Sequence, residues 1–245
     1  MATTFADMCR VHGTDKLPQH GYHRFYPDVL ERFRGVPNFR MLEVGIAEGR
    51  SLRMWLDYFA TGIVYAFDIE PKYMIEHPRC RTMLVDQSDV FALRSAIATI
   101  GGDPLPFIID DGSHVPTHQL LTFDVYFADL LADDGVYIIE DVETSYWRRG
   151  MGYNPKDPME YGYRHPKAVL EVFKHVLDFV NRDFMNATDQ ATNVATLAAG
   201  GLSLRTLLMI STVTFGQNCV IVRKKATGSD VYAGRPYQYG ARIAY

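Results

Sequence analysis

The chain has 245 residues, is 47% hydrophobic and 22% charged, and carries a formal net charge of -4. That length supports one large core, and the composition is that of an ordinary globular protein. No basic block offers a face for nucleic acid, no apolar run approaches a bilayer-spanning length, and Met1 to Asp7 lacks the charged and apolar regions of a signal peptide. Cys9, Cys80 and Cys219 are odd in number and far apart, which argues against a disulfide framework or a zinc site and fits a reducing cytoplasm.

Residues 1–36 read as an N-terminal helical cap, with one or two helices around the loop His12-Gly13-Thr14-Asp15-Lys16. Tyr22, Phe25, Tyr26, Val29, Leu30 and Phe33 recur at helical spacing and form one apolar face. Pro37-Asn38 breaks the chain, and strands then alternate with helices. Strands are expected over Phe39–Val44, Ile63–Phe67, Cys80–Val85, Phe107–Asp110 and Val136–Ile139. Helices are expected over Ser51–Phe59, Val90–Ile100 and Thr117–Leu131. This alternation implies an α/β fold with a mostly parallel sheet covered by helices on both faces. Residues 144–164 are rich in Tyr, Gly, Pro, Arg and Met, and read as a lid. A helix is expected over Pro166–Phe184, then a hairpin of strands Ser203–Ile210 and Asn218–Arg223. The catalytic or binding domain is thus 37–225, and 226–245 is a polar tail.

The chemistry concentrates where strands end. The first strand runs into Glu43-Val44-Gly45-Ile46-Ala47-Glu48-Gly49-Arg50-Ser51. Glycines at a strand-to-helix turn let a ligand approach the backbone. By themselves they are equally a plain βα turn. The spacing Gly-x-x-x-Gly is not the dinucleotide fingerprint, which disfavours an NAD-dependent oxidoreductase. Asp68 ends the second strand, placed to accept hydrogen bonds from ribose hydroxyls. Asp86-Gln87-Ser88 ends the third and offers polar groups to an adenine edge. A strand-end acid, a glycine turn, then a second acid is the arrangement of S-adenosylmethionine binders. Glu43, Gly45, Gly49, Ser51, Asp68, Asp86, Gln87 and Asp110 are the candidate cofactor residues.

Two further strands end in paired carboxylates. Pro106-Phe107-Ile108-Ile109 leads into Asp110-Asp111-Gly112-Ser113-His114, and Val136-Tyr137-Ile138-Ile139 leads into Glu140-Asp141. Separately, the first is a helix cap and the second a solvated strand end. Together, Asp111, Glu140 and Asp141 offer hard oxygen ligands, without a competing thiol, to Mg2+ or Mn2+. His114, three residues after Asp111, is a candidate general base, because an ordinary imidazole titrates near neutrality. His118 packs or faces solvent. Ser-His-Asp hydrolysis is weakly supported, because no Gly-x-Ser-x-Gly elbow is present.

At these residues the sequence resembles the metal-dependent sugar O-methyltransferases of antibiotic biosynthesis. Those acting on macrolide deoxysugars in the mycinamicin and tylosin pathways are nearest, with rhamnosyl O-methyltransferases and proteins named cephalosporin hydroxylases as a related group. The similarity runs from Gly13-Thr14-Asp15-Lys16 through Leu42-Glu43-Val44-Gly45, Ser51-Leu52-Arg53-Met54-Trp55 and Asp68-Ile69 to Asp110–His114 and Ile139–Trp147. It implies a class I methyltransferase fold, a Rossmann-like seven-stranded sheet whose last strand is antiparallel. It also implies metal ligands at Asp111, Glu140 and Asp141, and a base at His114. The acceptor implied is a sugar hydroxyl of a small-molecule glycosylated natural product, with Tyr146 and Trp147 beside it. The macrolide enzymes carry an extra N-terminal domain, whereas this chain begins near the methyltransferase domain. A homo-oligomer is compatible with the sequence. Two rivals stay open at this point: a catechol-type O-methyltransferase, whose aromatic diol would stack on Tyr146, Trp147, Tyr153 or Tyr161, and a non-catalytic binding module of methyltransferase-like fold.

Overall fold

The computed structural model describes residues 3–71, 75–148 and 160–229. Among these residues, seven strands form one sheet: β1 (Arg40–Val44), β2 (Ile63–Asp68), β3 (Cys80–Leu84), β4 (Leu105–Asp110), β5 (Leu131–Glu140), β6 (Ile210–Gly216) and β7 (Cys219–Lys224). Their order is β3-β2-β1-β4-β5-β7-β6. The first five pair in parallel, and β7 runs antiparallel between β5 and β6. The central strands read as continuous apolar runs because both faces are covered. Met41, Leu42, Phe107, Ile108 and Ile109 are all fully buried.

Among the described residues, eight helices cover the sheet: α1 (Phe5–His12), α2 (Tyr26–Leu30), α3 (Arg50–Tyr58), α4 (Val90–Ile100), α5 (Pro116–Asp129), α6 (Val169–Val180), α7 (Ala187–Ala199) and α8 (Leu204–Met209). One apolar cluster joins α4 to α8 to one face. A second joins α1 to α3 to the other. The strand order reverses at β1, which lies between β2 and β4. Such a switch point opens a crevice at the carboxyl ends of the strands.

The N-terminal segment is part of the second core. Thr4 and Asp7 form a reciprocal capping box on α1. Tyr22, Tyr26, Leu30 and Phe33 are buried as their spacing predicts, but the helix is broken into two 3₁₀ turns flanking the five-residue α2. Gly21, at φ +67°, starts the first turn with a left-handed residue that a continuous helix cannot hold.

Two expectations are corrected here. Residues 204–209 are helical rather than extended, so the hairpin runs over 210–224. The Ser203 hydroxyl accepts from Thr206 N at 3.2 Å and starts that helix, a local cap that outweighs the apolar run. Helix α7 was not anticipated, because its Ala- and Thr-rich sequence buries only Asn193 and Leu197 and shows no clear stripe. Of the expected lid, 149–159, including Tyr153, lies outside the described residues, as does 230–245 of the tail. Among the described residues, no helix is long and apolar enough to cross a membrane. Cys9, Cys80 and Cys219 are buried free thiols.

Candidate active site

The cleft begins where the turn after β1 crosses the turn after β4. Gly45 N donates to Phe67 O at 2.8 Å, and Asp111 N to Val44 O at 2.9 Å. Gly45 sits at φ +91°, and a Cβ there would lie 2.0 Å from the Asp111 carbonyl oxygen. Only glycine permits that approach. Asp68 Oδ2 accepts from Ile46 N at 2.9 Å and Ala47 N at 3.3 Å, so this carboxylate also holds the turn in shape.

The cleft encloses about 1160 Å³, and Gly45, Ser51, Asp68, Asp86 and Gln87 line one part of it. Asp86 Oδ1 accepts from the Ser88 backbone and hydroxyl, at 2.8 and 2.7 Å. Gln87 is a crossbar: its amide nitrogen donates to both oxygens of Asp110 at 2.8 Å, and its oxygen accepts from Ser113 N at 2.9 Å. Glu43 and Asp110 do not line the cleft; both are fully buried. Burial pushes each of their carboxyls up to about 7, against partial opposition from Lys16 at Glu43 and from the Gln87 amide at Asp110. Trp55 Nε1 donates to Glu43 Oε1 at 3.1 Å.

Asp111, His114 and Asp141 line the same cleft. One ligand atom from each lies within 4.8 Å of the other two. Asp141 Oδ1 accepts from Tyr22 Oη at 2.7 Å and Asn218 Nδ2 at 3.1 Å, while Oδ2 lies 3.7 Å from His114 Nε2. Glu140 is not in this trio. Its Oε1 accepts from Tyr26 Oη and its Oε2 from Lys16 Nζ, and it is 1% exposed.

Lys16 is the residue that sequence reasoning missed. It is fully buried, with Nζ 2.7 Å from Asp111 Oδ2, 2.5 Å from Glu140 Oε2 and 3.8 Å from Glu43 Oε1. Burial opposes its charge, but Asp111, Glu140 and Glu43 outweigh that and hold the ammonium well above the ordinary lysine range. Burial opposes the charge of Asp111 too, yet Lys16 and His114 pull its carboxyl below the usual range. Glu140 goes the other way: burial raises it, Lys16 only partly offsets this, and Asp111 and Asp141 raise it further. One buried ammonium therefore serves several carboxylates, and the cluster retains capacity for another cation. Lys16 stands 95 residues from Asp111 and 124 from Glu140, so only its place in the Gly13–Lys16 loop marked it in the sequence.

Ala47, His114 and Asp141 have φ of +46°, +55° and +53°. Left-handed backbone at non-glycine residues costs about 1–2 kcal/mol each and gathers where geometry serves a site. His118, expected to pack or face solvent, is half-buried, lines the cleft and pairs through Nδ1 with Ser113 Oγ at 3.1 Å. An adjoining cavity of about 710 Å³ is lined by Tyr146, Leu170, Lys174 and Phe215, and shares Gln19 with the first. Trp147 is partly buried and lines neither.

The Asp111 and Asp141 carboxylates fit a divalent cation, because their hard oxygens converge on one cleft, with His114 beside them. The glycine cradle and adjacent strand-end acids fit an adenosyl cofactor. Strand order, switch-point cleft and lone antiparallel strand together define the class I methyltransferase fold, Rossmann-like and seven-stranded.

No protein-family model matches the chain. It is similar to a tetracenomycin-pathway enzyme of Streptomyces olivaceus, 8-demethyl-8-alpha-L-rhamnosyl tetracenomycin-C 2'-O-methyltransferase. The two are 39% identical over 143 residues, covering 56% of this chain and 37% of that protein. It is also 36% identical over 153 residues to mycinamicin VI 2''-O-methyltransferase of Micromonospora griseorubida, covering 58% and 37%. Among solved structures, the MycE methyltransferase of the mycinamycin pathway, in complex with Mg, SAH and mycinamycin VI, aligns with a TM-score of 0.70. That alignment has 25% identity and covers 92% of this chain and 56% of that one. The resemblance to sugar O-methyltransferases is thus borne out at the level of similarity. The chain spans a little over a third of the length of these curated relatives.

Proposed function

We propose that the protein is an S-adenosylmethionine- and divalent-metal-dependent O-methyltransferase acting on a sugar hydroxyl of a glycosylated natural product. The observation that carries this reading is the convergence of Asp111, His114 and Asp141 in the same cleft as the Gly45 cradle. Similarity to enzymes named for that reaction supports it. Residues 37–225 would form the catalytic domain, and residues 1–36 a cap closing the acidic cluster.

In this reading Gly45, Ser51, Asp68, Asp86 and Gln87 cradle the cofactor, which would supply the methyl group, while Gly49, buried and outside the cleft lining at φ +69°, turns the chain into α3 behind them. Glu43 and Asp110 support that cradle from below. Asp111 and Asp141 would hold a magnesium or manganese ion, with Glu140 behind them; the ion would acidify an acceptor hydroxyl. His114, whose Nε2 lies 3.7 Å from Asp141 Oδ2, would take the hydroxyl proton at Nε2. The cavity beside Tyr146, Leu170 and Phe215 would take the apolar remainder of the acceptor. Rate would come mainly from holding hydroxyl, base and methyl in line.

The test is methyl transfer from labelled S-adenosylmethionine to rhamnosyl- and deoxysugar-bearing polyketides, with magnesium and with chelator. Metal-dependent labelling of the glycoside is expected. Labelling of catechols but no glycoside would overturn the acceptor class. Failure to bind S-adenosylhomocysteine calorimetrically would overturn the whole reading.

A further inference from the structure

Lys16 is pinned at both ends of its turn. Thr14 N donates to Cys9 O at 3.1 Å, and Tyr22 N donates to Lys16 O at 2.8 Å. Beyond it, the rings of His20, Tyr22 and Tyr26 stack in a ladder, with centroids 5.2 and 5.1 Å apart and interplanar angles of 15° and 6°. Tyr22 reaches Asp141, and Tyr26 reaches Glu140. One short stretch, 16–26, thus places an ammonium and two phenols against the acidic pairs that end β4 and β5. A lysine so held, fully buried and with carboxylates on three sides, is a fixed cation rather than a swinging arm.

We infer that Lys16 is the resident counter-cation of the metal site: it lets the carboxylate cluster fold without metal, and it weakens divalent-metal binding so that the ion stays exchangeable. The inference rests on the metal reading proposed above. Its logic is charge balance. Without a cation, the buried or half-buried acids Glu43, Asp111, Glu140 and Asp141 would have either to repel one another as carboxylates or to take up protons, and burial of unpaired charge is strongly unfavourable. With Lys16 present, Asp111 Oδ2 already accepts from an ammonium, so a divalent ion at Asp111 and Asp141 meets a positive charge in contact with one of its own ligands. In a buried site that repulsion is little screened. Lys16 is therefore a positioning residue, acting through the carboxylates rather than on substrate.

The experiment compares wild type, Lys16→Met and Lys16→Arg by magnesium calorimetry and by thermal unfolding in chelator and in magnesium, without cofactor or acceptor. Lys16→Met is expected to bind magnesium on the order of tenfold tighter than wild type. It should melt lower in chelator, with most of the deficit restored by magnesium. Lys16→Arg should stay near wild type in both measurements. If Lys16→Met does not fold in chelator, refolding with magnesium decides: recovery supports the inference, and no recovery at saturating metal overturns it. The double variant Lys16→Met/Glu140→Gln, which removes the ammonium together with one of its acidic partners, should regain metal-free stability relative to Lys16→Met. Equal or weaker magnesium binding by Lys16→Met, with the same melting deficit in chelator and in magnesium, would overturn the inference. Absence of magnesium binding in wild type would instead remove the metal reading, and this inference with it.

Discussion

Gly45→Ala isolates the contact on which the cleft depends. Two penalties act there. The left-handed φ of +91° disfavours any side chain, by about 1–2 kcal/mol. The added methyl carbon would also stand 2.0 Å from the Asp111 carbonyl oxygen and 2.9 Å from Gly112 Cα, both backbone atoms. Neither can rotate away, so the turns after β1 and β4 must part by about an ångström, and tight packing resists such shifts at a cost of roughly 1–3 kcal/mol. The displacement would stretch the bond from Asp111 N to Val44 O and move Asp111 away from Lys16. Gly101→Ala is the control, because Gly101 has φ +97° but nothing within 4 Å of an added Cβ. Urea unfolding should show Gly45→Ala destabilised by roughly 2–5 kcal/mol and Gly101→Ala by only about 1. Calorimetry should show S-adenosylhomocysteine binding lost in the first and kept in the second. Equal destabilisation with retained binding in both would refute the idea that this backbone contact shapes the cradle.

His114→Ala should slow single-turnover methyl transfer by roughly 10²–10⁴-fold while magnesium affinity holds, if the imidazole is a base; a parallel loss of magnesium binding would make it a ligand instead. Tyr26→Phe removes the hydroxyl donor to Glu140 Oε1 and should cost about 1–3 kcal/mol in chemical denaturation, because a buried carboxylate oxygen is left unpaired; a neutral effect would mean that Lys16 alone satisfies Glu140. Asp110, buried beneath the cleft, is raised from 3.8 to about 7, so the folded state holds its proton more tightly than the unfolded chain does. Its contribution favours folding below the unfolded value and is lost as pH rises toward 7, so Asp110→Asn should flatten that fall in urea titrations between pH 4 and 7 in chelator. An unchanged slope would refute the assignment.

The sheet was legible in the sequence because its central strands, such as Phe107–Ile109, are apolar on both faces and are separated by helix-length segments. Gly45, Asp68, Asp111 and Asp141 could be singled out without coordinates for a related reason. In a parallel α/β sheet every strand delivers its terminal residues to the same edge, so a polar residue closing an apolar run is already placed. Local chemistry misled where caps compete with apolar runs, as at Ser203. The charge balance of the site could not be read this way. Lys16 looks like a surface lysine in a polar loop, and nothing within a few residues indicates that it is buried. Its partners are distant in sequence, and only the crossing of the N-terminal segment over the ends of β4 and β5 joins them. Likewise Glu140 and Asp141 are adjacent carboxylates in sequence, yet one meets Lys16 and Tyr26 while the other faces His114. Successive residues at a strand end point in different directions, and the packing around them decides which receives an internal cation and which is left facing the cleft.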